Sequence, residues 1–126
     1  MGNSNTYKMK HIEKGHFNDL KKAKLISISN KFEINNSPSR HGVFIIYNEK
    51  KQVLYVGRTP RAKEGLKQRI INHLTGASSF YKNYLEPENI DLKKIGKIRC
   101  IEIEDNKERA YTEALAIGKL RPTYIR

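Results

Sequence analysis

Gly42-Val43-Phe44-Ile45-Ile46-Tyr47-Asn48-Glu49-Lys50-Lys51-Gln52-Val53-Leu54-Tyr55-Val56-Gly57 is the stretch that decides the fold. It contains two runs rich in β-branched and aromatic residues, Val43–Tyr47 and Gln52–Val56, parted by a short polar segment. Such runs suit a pleated strand, and Asn48 to Lys51 between them predict a hairpin turn. With the turn centred between Glu49 and Lys50, Phe44 stands opposite Tyr55 on one face. Both strands are apolar at consecutive positions. Both faces of the sheet therefore need cover, and helices are expected to supply it.

Downstream, Leu66, Ile70 and Leu74 recur every four residues, which predicts a helix over Ala62–Thr75 with Gly76 ending it. Ser78–Asp91 carries Phe80, Tyr81, Tyr84, Leu85 and then Pro87, and reads as a short helix followed by a loop. Lys97–Glu104 reads as a third strand. Asn106–Leu120 reads as a helix, capped by Asp105 or Asn106, with Pro122 beyond its end. Upstream, residues 1–40 are polar, with eight Lys or Arg and three acidic residues. Phe17, Leu20, Ala23, Leu25 and Ile28 roughly follow helical spacing, the first dozen residues read as disordered, and Asn35–Ser39 with Pro38 reads as a loop. The expected architecture is α+β: a small three-stranded antiparallel sheet flanked by helices over residues 41–126. A basic N-terminal extension over residues 1–40, partly helical or disordered, precedes it.

Charge narrows the class of partner. Twenty-five Lys and Arg against 13 Asp and Glu give a formal net charge of +12 in 126 residues. This excess suits a polyanion, because phosphate contacts release counterions and a positive field speeds encounter. No apolar run approaches the ~20 residues needed to span a bilayer, so no membrane association is expected. Cys100 is the single cysteine, which excludes an internal disulfide and fits a reducing cytoplasm or the nucleoid.

Three places along the chain could carry chemistry. Gly57-Arg58-Thr59-Pro60 follows the strand bearing Tyr55; glycine admits a close approach and Arg58 brings charge to the strand's end. Arg69 and His73 are four residues apart and so neighbours on one helix face. They read either as a half-buried histidine with a surface arginine, or as a pair that holds a phosphate and stabilises charge during its transfer. Glu113 falls among Ala110, Ile117 and Leu120, the expected inward face of the last helix. A buried carboxylate there needs either a basic partner or a cation. Mg²⁺ suits such a site, since it keeps most of its waters and takes one or two carboxylates. The four histidines and one cysteine lack zinc-type spacing, and no phosphate-binding glycine loop is present.

Taken in order, these residues resemble a known family. Gly42-Val43-Phe44, ten residues, then Tyr55-Val56-Gly57 resembles the paired motif that names the GIY-YIG nucleases. Arg69 and His73 on the next helix, Glu113 on a later one, and Arg121-Pro122-Thr123-Tyr124 continue the likeness across residues 42–126. The resemblance implies phosphodiester hydrolysis in DNA by an endonuclease with one divalent metal, Mg²⁺ or Mn²⁺. By position, Glu113 would bind the metal and Arg69 would clamp the scissile phosphate. Tyr55 would activate or position the attacking water and His73 would assist. Gly57, Arg58 and Arg121 would contact substrate, and Gly42 and Phe44 mark the first motif. A tyrosine hydroxyl of pKa ~10 is a poor base at neutral pH; the metal and two arginines would favour its phenolate, and metal-bound water is itself more acidic. Two positions depart from the pattern: Phe44 stands where the family has Tyr, and Ile125 where it has Asn. A nucleic-acid-binding module with weakened or lost cutting is therefore the second reading. With no room for a separate DNA-reading domain, specificity would come from DNA shape, a homodimer or a partner protein.

Overall fold

The computed structural model describes residues 3–29, 40–59 and 65–125. Helix α1 (Asn3–Lys22) leads into a two-residue strand β1 (Ile26–Ser27). The hairpin follows as β2 (Gly42–Tyr47) and β3 (Val53–Arg58). Then come α2 (Leu66–Thr75), a π-helical turn (Tyr81–Leu85), α3 (Leu92–Ile95), β4 (Lys97–Glu102) and α4 (Asn106–Leu120).

The sheet is antiparallel with strand order β1-β4-β2-β3, so it has four strands where three were expected. The added strand pairs Ile26 with Ile98 and Ser27 with Lys97. This also corrects the helix expected over Phe17–Ile28. The helix lies earlier, starting at Asn3, and Leu25 onward is extended because Ile26 and Ile28 bond to the free edge of β4 and to Gly96. Residues 62–64 of the expected second helix, and the Asn35–Ser39 loop, lie outside the described residues. Gly65 caps the start of α2, and Gly76 ends it with a left-handed φ of 85°.

The hairpin register also differs from expectation. Phe44 faces Gly57, and Tyr55 faces Ile46. The connection is a five-residue loop held by Asn48: its Oδ1 accepts the Lys50 and Gln52 N–H groups, and its N–H bonds to Gln52 O. Lys51 adopts a φ of 63° to close it. The hairpin centre thus moves on by one residue and the register by two. Side chains alternate with period two, so Phe44 and Tyr55 keep their shared face as diagonal neighbours, rings 6.0 Å apart. Leu54 is an extra residue between the Ile46–Tyr55 and Tyr47–Val53 pairs, a β-bulge.

Alternation along β2 divides the core. Phe44 and Ile46 point to one side, where Tyr55, Ile98, Leu66, Ile70, Phe80, Leu85 and Leu92 are buried. Val43, Ile45 and Tyr47 point to the other, against Val56, Ile103, Phe17 and Leu20 of α1 and Ala116 of α4. Helices cover both faces, as two-sided apolar strands require. On α4, Asp105 is the cap, its side chain accepting the Glu108 N–H. The most buried positions of α4 are Arg109, Thr112 and Ala116. That face is rotated from the expected Ala110–Ile117–Leu120 stripe because α4 is wedged between the β3 edge and α1. No helix among the described residues is long and apolar enough to cross a membrane.

Candidate active site

The site grows out of β3. Tyr55 is 3% exposed. Its ring stacks on Phe80 at 4.6 Å between centroids and 12° between planes. It also meets His73 edge-on at 5.3 Å. Such offset and edge contacts are the favoured aromatic geometries, and they fix the ring before any substrate arrives. Phe44 lies 5.4 Å from His73, closing the third side. The glycine at position 57 makes this possible. A Cβ there would stand 2.5 Å from Phe44 Cζ and 2.9 Å from Tyr55 Cε2, so the two rings occupy the space that a side chain would take. Gly42 is equally confined, its Cβ position falling 1.9 Å from the Ile101 carbonyl oxygen of β4.

His73 is buried, and its Nδ1 lies 2.7 Å from Ser78 Oγ, which also accepts the Tyr81 N–H at 3.2 Å. That bond sets the rotation of the imidazole beside Tyr55. Arg69 sits one turn earlier on α2. Its Nε is buried with no hydrogen-bond partner among the described residues. Leaving such a donor unmet costs about 1–3 kcal/mol. The start of α2 is tied to the segment just before β2 by the Leu66 N–H donating to Arg40 O at 2.9 Å.

Glu113 comes from the other side of the sheet, on α4, and its side chain is 15% exposed. Its Oε1 accepts a hydrogen bond from Arg58 Nε at 3.2 Å. Of the two readings that the sequence left for a buried Glu113, the basic partner is therefore present. Arg58 in turn is aimed by the hairpin's open end. There the Thr59 N–H donates to Gly42 O at 3.0 Å, and Thr59 Oγ1 accepts the Gly42 N–H at 3.1 Å. A second guanidinium lies within its field. Burial, and then the like charge of Arg58, push Arg109 below the ordinary arginine range, while Glu104 and Asp105 oppose this. Arg109 donates to the carbonyls of Ile103 and Glu104, anchoring the entry to α4.

Tyr55 and Glu113 open onto one cavity of about 150 Å³, shared with Val56, Ile117, Tyr124 and Ile125. The cavity wraps around the edge of β3, where the two faces of the sheet meet. The chain reaches it because Arg121 takes a left-handed φ of 47° after α4, and the segment beyond returns along β3. There the Thr123 and Tyr124 N–H groups donate to Val53 and Leu54 carbonyls at 3.1 and 2.9 Å. Arg121 itself is exposed. The structure thus gathers Tyr55, His73, Glu113, Arg58, Gly57 and Phe44 at one edge. Tyr124, Phe80 and Ser78 are the participants that residue patterns did not single out. Tyr124 stood in a recognised ending, whereas Phe80 and Ser78 lie in an irregular segment with no periodic signal.

The donor set suits one hard cation. Among the described residues no three His, Cys, Asp or Glu side chains cluster, so a multi-ligand cage is not the arrangement. A single largely buried carboxylate beside a cavity with room for several waters is what Mg²⁺ accommodates.

Similarity to known proteins agrees with this geometry. Residues 40–125 match the model of the GIY-YIG catalytic domain. Over 94 residues the chain is 31% identical to UvrABC system protein C of Wolbachia sp. subsp. Brugia malayi (strain TRS). That alignment covers 75% of this chain and 14% of the relative, so the chain spans about one-seventh of that protein's length. Among solved structures it is similar to the GIY-YIG N-terminal endonuclease domain of UvrC from Thermotoga maritima bound to its catalytic divalent cation, magnesium. The TM-score is 0.54 at 27% identity, covering 76% of this chain and 94% of that one. A Tyr→Phe point mutant of the same Thermotoga domain, also bound to the catalytic divalent cation, is similar at TM-score 0.54 and 28% identity over the same shares of the chains. With the hairpin, the α2 pair, the α4 carboxylate and the returning C-terminal segment assembled around one sheet edge, this chain belongs to the GIY-YIG catalytic domain family.

Proposed function

We propose that the chain is a divalent-metal-dependent endonuclease that hydrolyses phosphodiester bonds in DNA. The observation that carries this reading is the largely buried Glu113 carboxylate sharing a cavity with the buried Tyr55. Glu113 would hold one Mg²⁺ or Mn²⁺ ion, which when bound supplies Lewis-acid stabilisation of charge on the phosphate. The magnesium carried by the similar Thermotoga domain supports this.

In this scheme Tyr55 orients and helps deprotonate the attacking water through its hydroxyl, which its ring contacts hold in place. His73, fixed through Ser78, assists that proton transfer. Arg69 offers a buried N–H with no acceptor among the described residues, a donor suited to a non-bridging phosphate oxygen. Arg58 balances Glu113 until the phosphate arrives and then turns to it. Gly57 keeps the approach narrow, and Arg121, exposed at the end of α4, would steer the strand.

We read residues 41–126 as the catalytic domain and residues 1–40 as a basic extension. The extent of the family match, beginning at residue 40, supports the division. Phe17 and Leu20 seat the extension on the sheet. Target choice would come from a partner protein or a second copy of the chain, and the setting would be the cytoplasm or nucleoid. The second reading, a module that binds nucleic acid without cutting, is favoured by the lost hydroxyl at Phe44 and by the exposed apolar Ile125.

A plasmid-nicking assay separates the two. Wild type should relax supercoiled DNA in Mg²⁺ and not in chelator, and Glu113→Ala should lose at least about a thousandfold, roughly 4 kcal/mol of barrier, while still binding DNA. Equal inertness of both proteins, with DNA binding intact, would establish the non-cutting module instead.

A further inference from the structure

Tyr84 of the π-helical turn, the Leu54 bulge and the hairpin loop border one groove that the reaction scheme leaves unused. The groove holds about 410 Å³. Its walls are Leu54, Ile90 and the ring of Tyr84; Asn48, Glu49, Lys50 and Gln52 of the hairpin loop and Thr123 complete its lining. Backbone irregularities cost stability, and π-turns and bulges recur where a chain re-aims a side chain for function. Here the irregular turn carries Tyr84.

Tyr84 is the outer member of an aromatic column that starts in the active site. Tyr55 stacks on Phe80 at 4.6 Å, and Phe80 stacks on Tyr84 at 5.8 Å with 14° between planes. Tyr124 braces the column, 5.9, 5.6 and 5.8 Å from the three rings in turn. Tyr55 is buried, whereas Tyr84 is half-buried and lines the groove. Burial, and then the Glu88 carboxylate, raise the Tyr84 hydroxyl above the ordinary tyrosine range, so the ring is neutral.

We infer that this groove receives one unpaired nucleobase of the DNA strand being cut, stacked on Tyr84 at the end of the column. The chemistry of the walls selects that ligand. An aromatic face with apolar neighbours takes the plane of a base; the Gln52 amide, whose oxygen accepts from Asn48 Nδ2 at 2.7 Å, turns its nitrogen as a donor to the base edge, and Lys50 meets the adjoining phosphate. The volume lies in the range of small-molecule sites and exceeds what a side chain fills. A base inside a duplex enters only by leaving its stack and its pair, a cost that an unpaired base does not meet. The substrate that fits is therefore DNA with an unpaired nucleotide beside the cut, such as a flap, bubble or single-stranded junction. The inference rests on the nuclease reading for the strand's position, and its test does not depend on cleavage.

The experiment measures binding of the full chain in chelator to a junction oligonucleotide with 2-aminopurine at its unpaired positions, beside a fully paired duplex of equal length. Wild type should prefer the junction and quench the fluorophore by stacking. Tyr84→Phe should keep both properties. Tyr84→Ala should bind the junction roughly tenfold or more weakly, in line with the stacking of one base, and change duplex binding less than about twofold on that same reasoning. Because Tyr84 also packs on Phe80, the exposed Gln52→Ala serves as a variant that leaves the column intact, and it should lower junction preference alone. Unquenched 2-aminopurine, or junction and duplex affinities that both variants leave as in wild type, would overturn the inference. Cleavage with an unaltered junction preference in these variants counts against the groove and not against the nuclease. Quenching without cleavage would do the reverse.

Discussion

The two faces of the hairpin are built from alternating residues of the same strands, yet they differ in kind. One face carries Val43, Ile45 and Val56 against Phe17, Leu20 and Ala116, a largely aliphatic contact between sheet and helices. The other carries Phe44 and Tyr55 against His73 and Phe80, with ring centroids 4.6 to 6.0 Å apart and polar atoms drawn inside. Aliphatic side chains fill space in many ways, so that face secures α1 and α4. Aromatic rings lock one another in orientation and bring hydroxyl and imidazole groups with them, so the other face positions chemistry. The carboxylate that completes the site comes from the aliphatic side, on α4, and meets Tyr55 around the edge of β3. The groups proposed to act in catalysis thus sit where the two kinds of packing join.

If that division is right, damage to the aliphatic face should cost stability and spare activity. Ile45 is fully buried on that face, and Ile45→Ala should destabilise by about 3 kcal/mol, within the usual range for removing a buried isoleucine. Its nicking rate per folded molecule should stay near wild type. Urea denaturation read beside the plasmid assay checks both halves, and a large loss of rate in the folded fraction would break the comparison.

On the aromatic face the expected coupling is the opposite. Gly57→Ala places a methyl group 2.5 Å from Phe44 Cζ. The rings must shift, at a cost of about 2 kcal/mol typical of overpacking, and Tyr55 must move with them. Stability and nicking should therefore fall together in that variant. A stable protein of normal activity would mean that the rings are free to adjust.

The smallest effect concerns pH. Cys100 lies opposite Phe44 on β4. Burial, and then Glu102, push its thiol from 9.0 up to about 11. The folded state thus holds the proton more tightly than the unfolded state. This contribution is fully present below about pH 9 and is lost as pH rises toward 11. Between pH 8 and 10 wild type should lose about 1 kcal/mol more stability than Cys100→Ala, by the linkage of one shifted group. Equal losses would place the thiol in a more open setting than the sheet gives it.

Much of this was legible because it is local. β-branched runs marked the strands, Gly76 marked the end of α2, and Asp105 marked the start of α4. Each signal lies within a few residues of what it controls. The hairpin register was not legible, because Asn48 gathers the Lys50 and Gln52 amides into a five-residue loop and Leu54 bulges from its strand. Neither depends on hydrophobic pattern. β1 was hidden because two residues carry no alternation, and only the free edge of β4 makes them a strand. The position of Glu113 as a buried charge could be read from the chain, but its pairing with Arg58, 55 residues away, depends on how α4 crosses the β3 edge. Ser78 was silent for the same reason: its role is to hold His73, and that contact exists only once the turn after α2 has folded back.

Tyr55 remains the residue on which the two faces depend together, since it is packed by one and shares a cavity with the carboxylate of the other. The decisive measurement is the Mg²⁺-dependent nicking rate of Tyr55→Phe, which keeps the ring and removes only the hydroxyl. Cleavage should fall at least about a hundredfold, the scale of one positioned proton-transfer group, while the melting temperature stays within a few degrees of wild type. Undiminished cleavage by Tyr55→Phe would contradict the account.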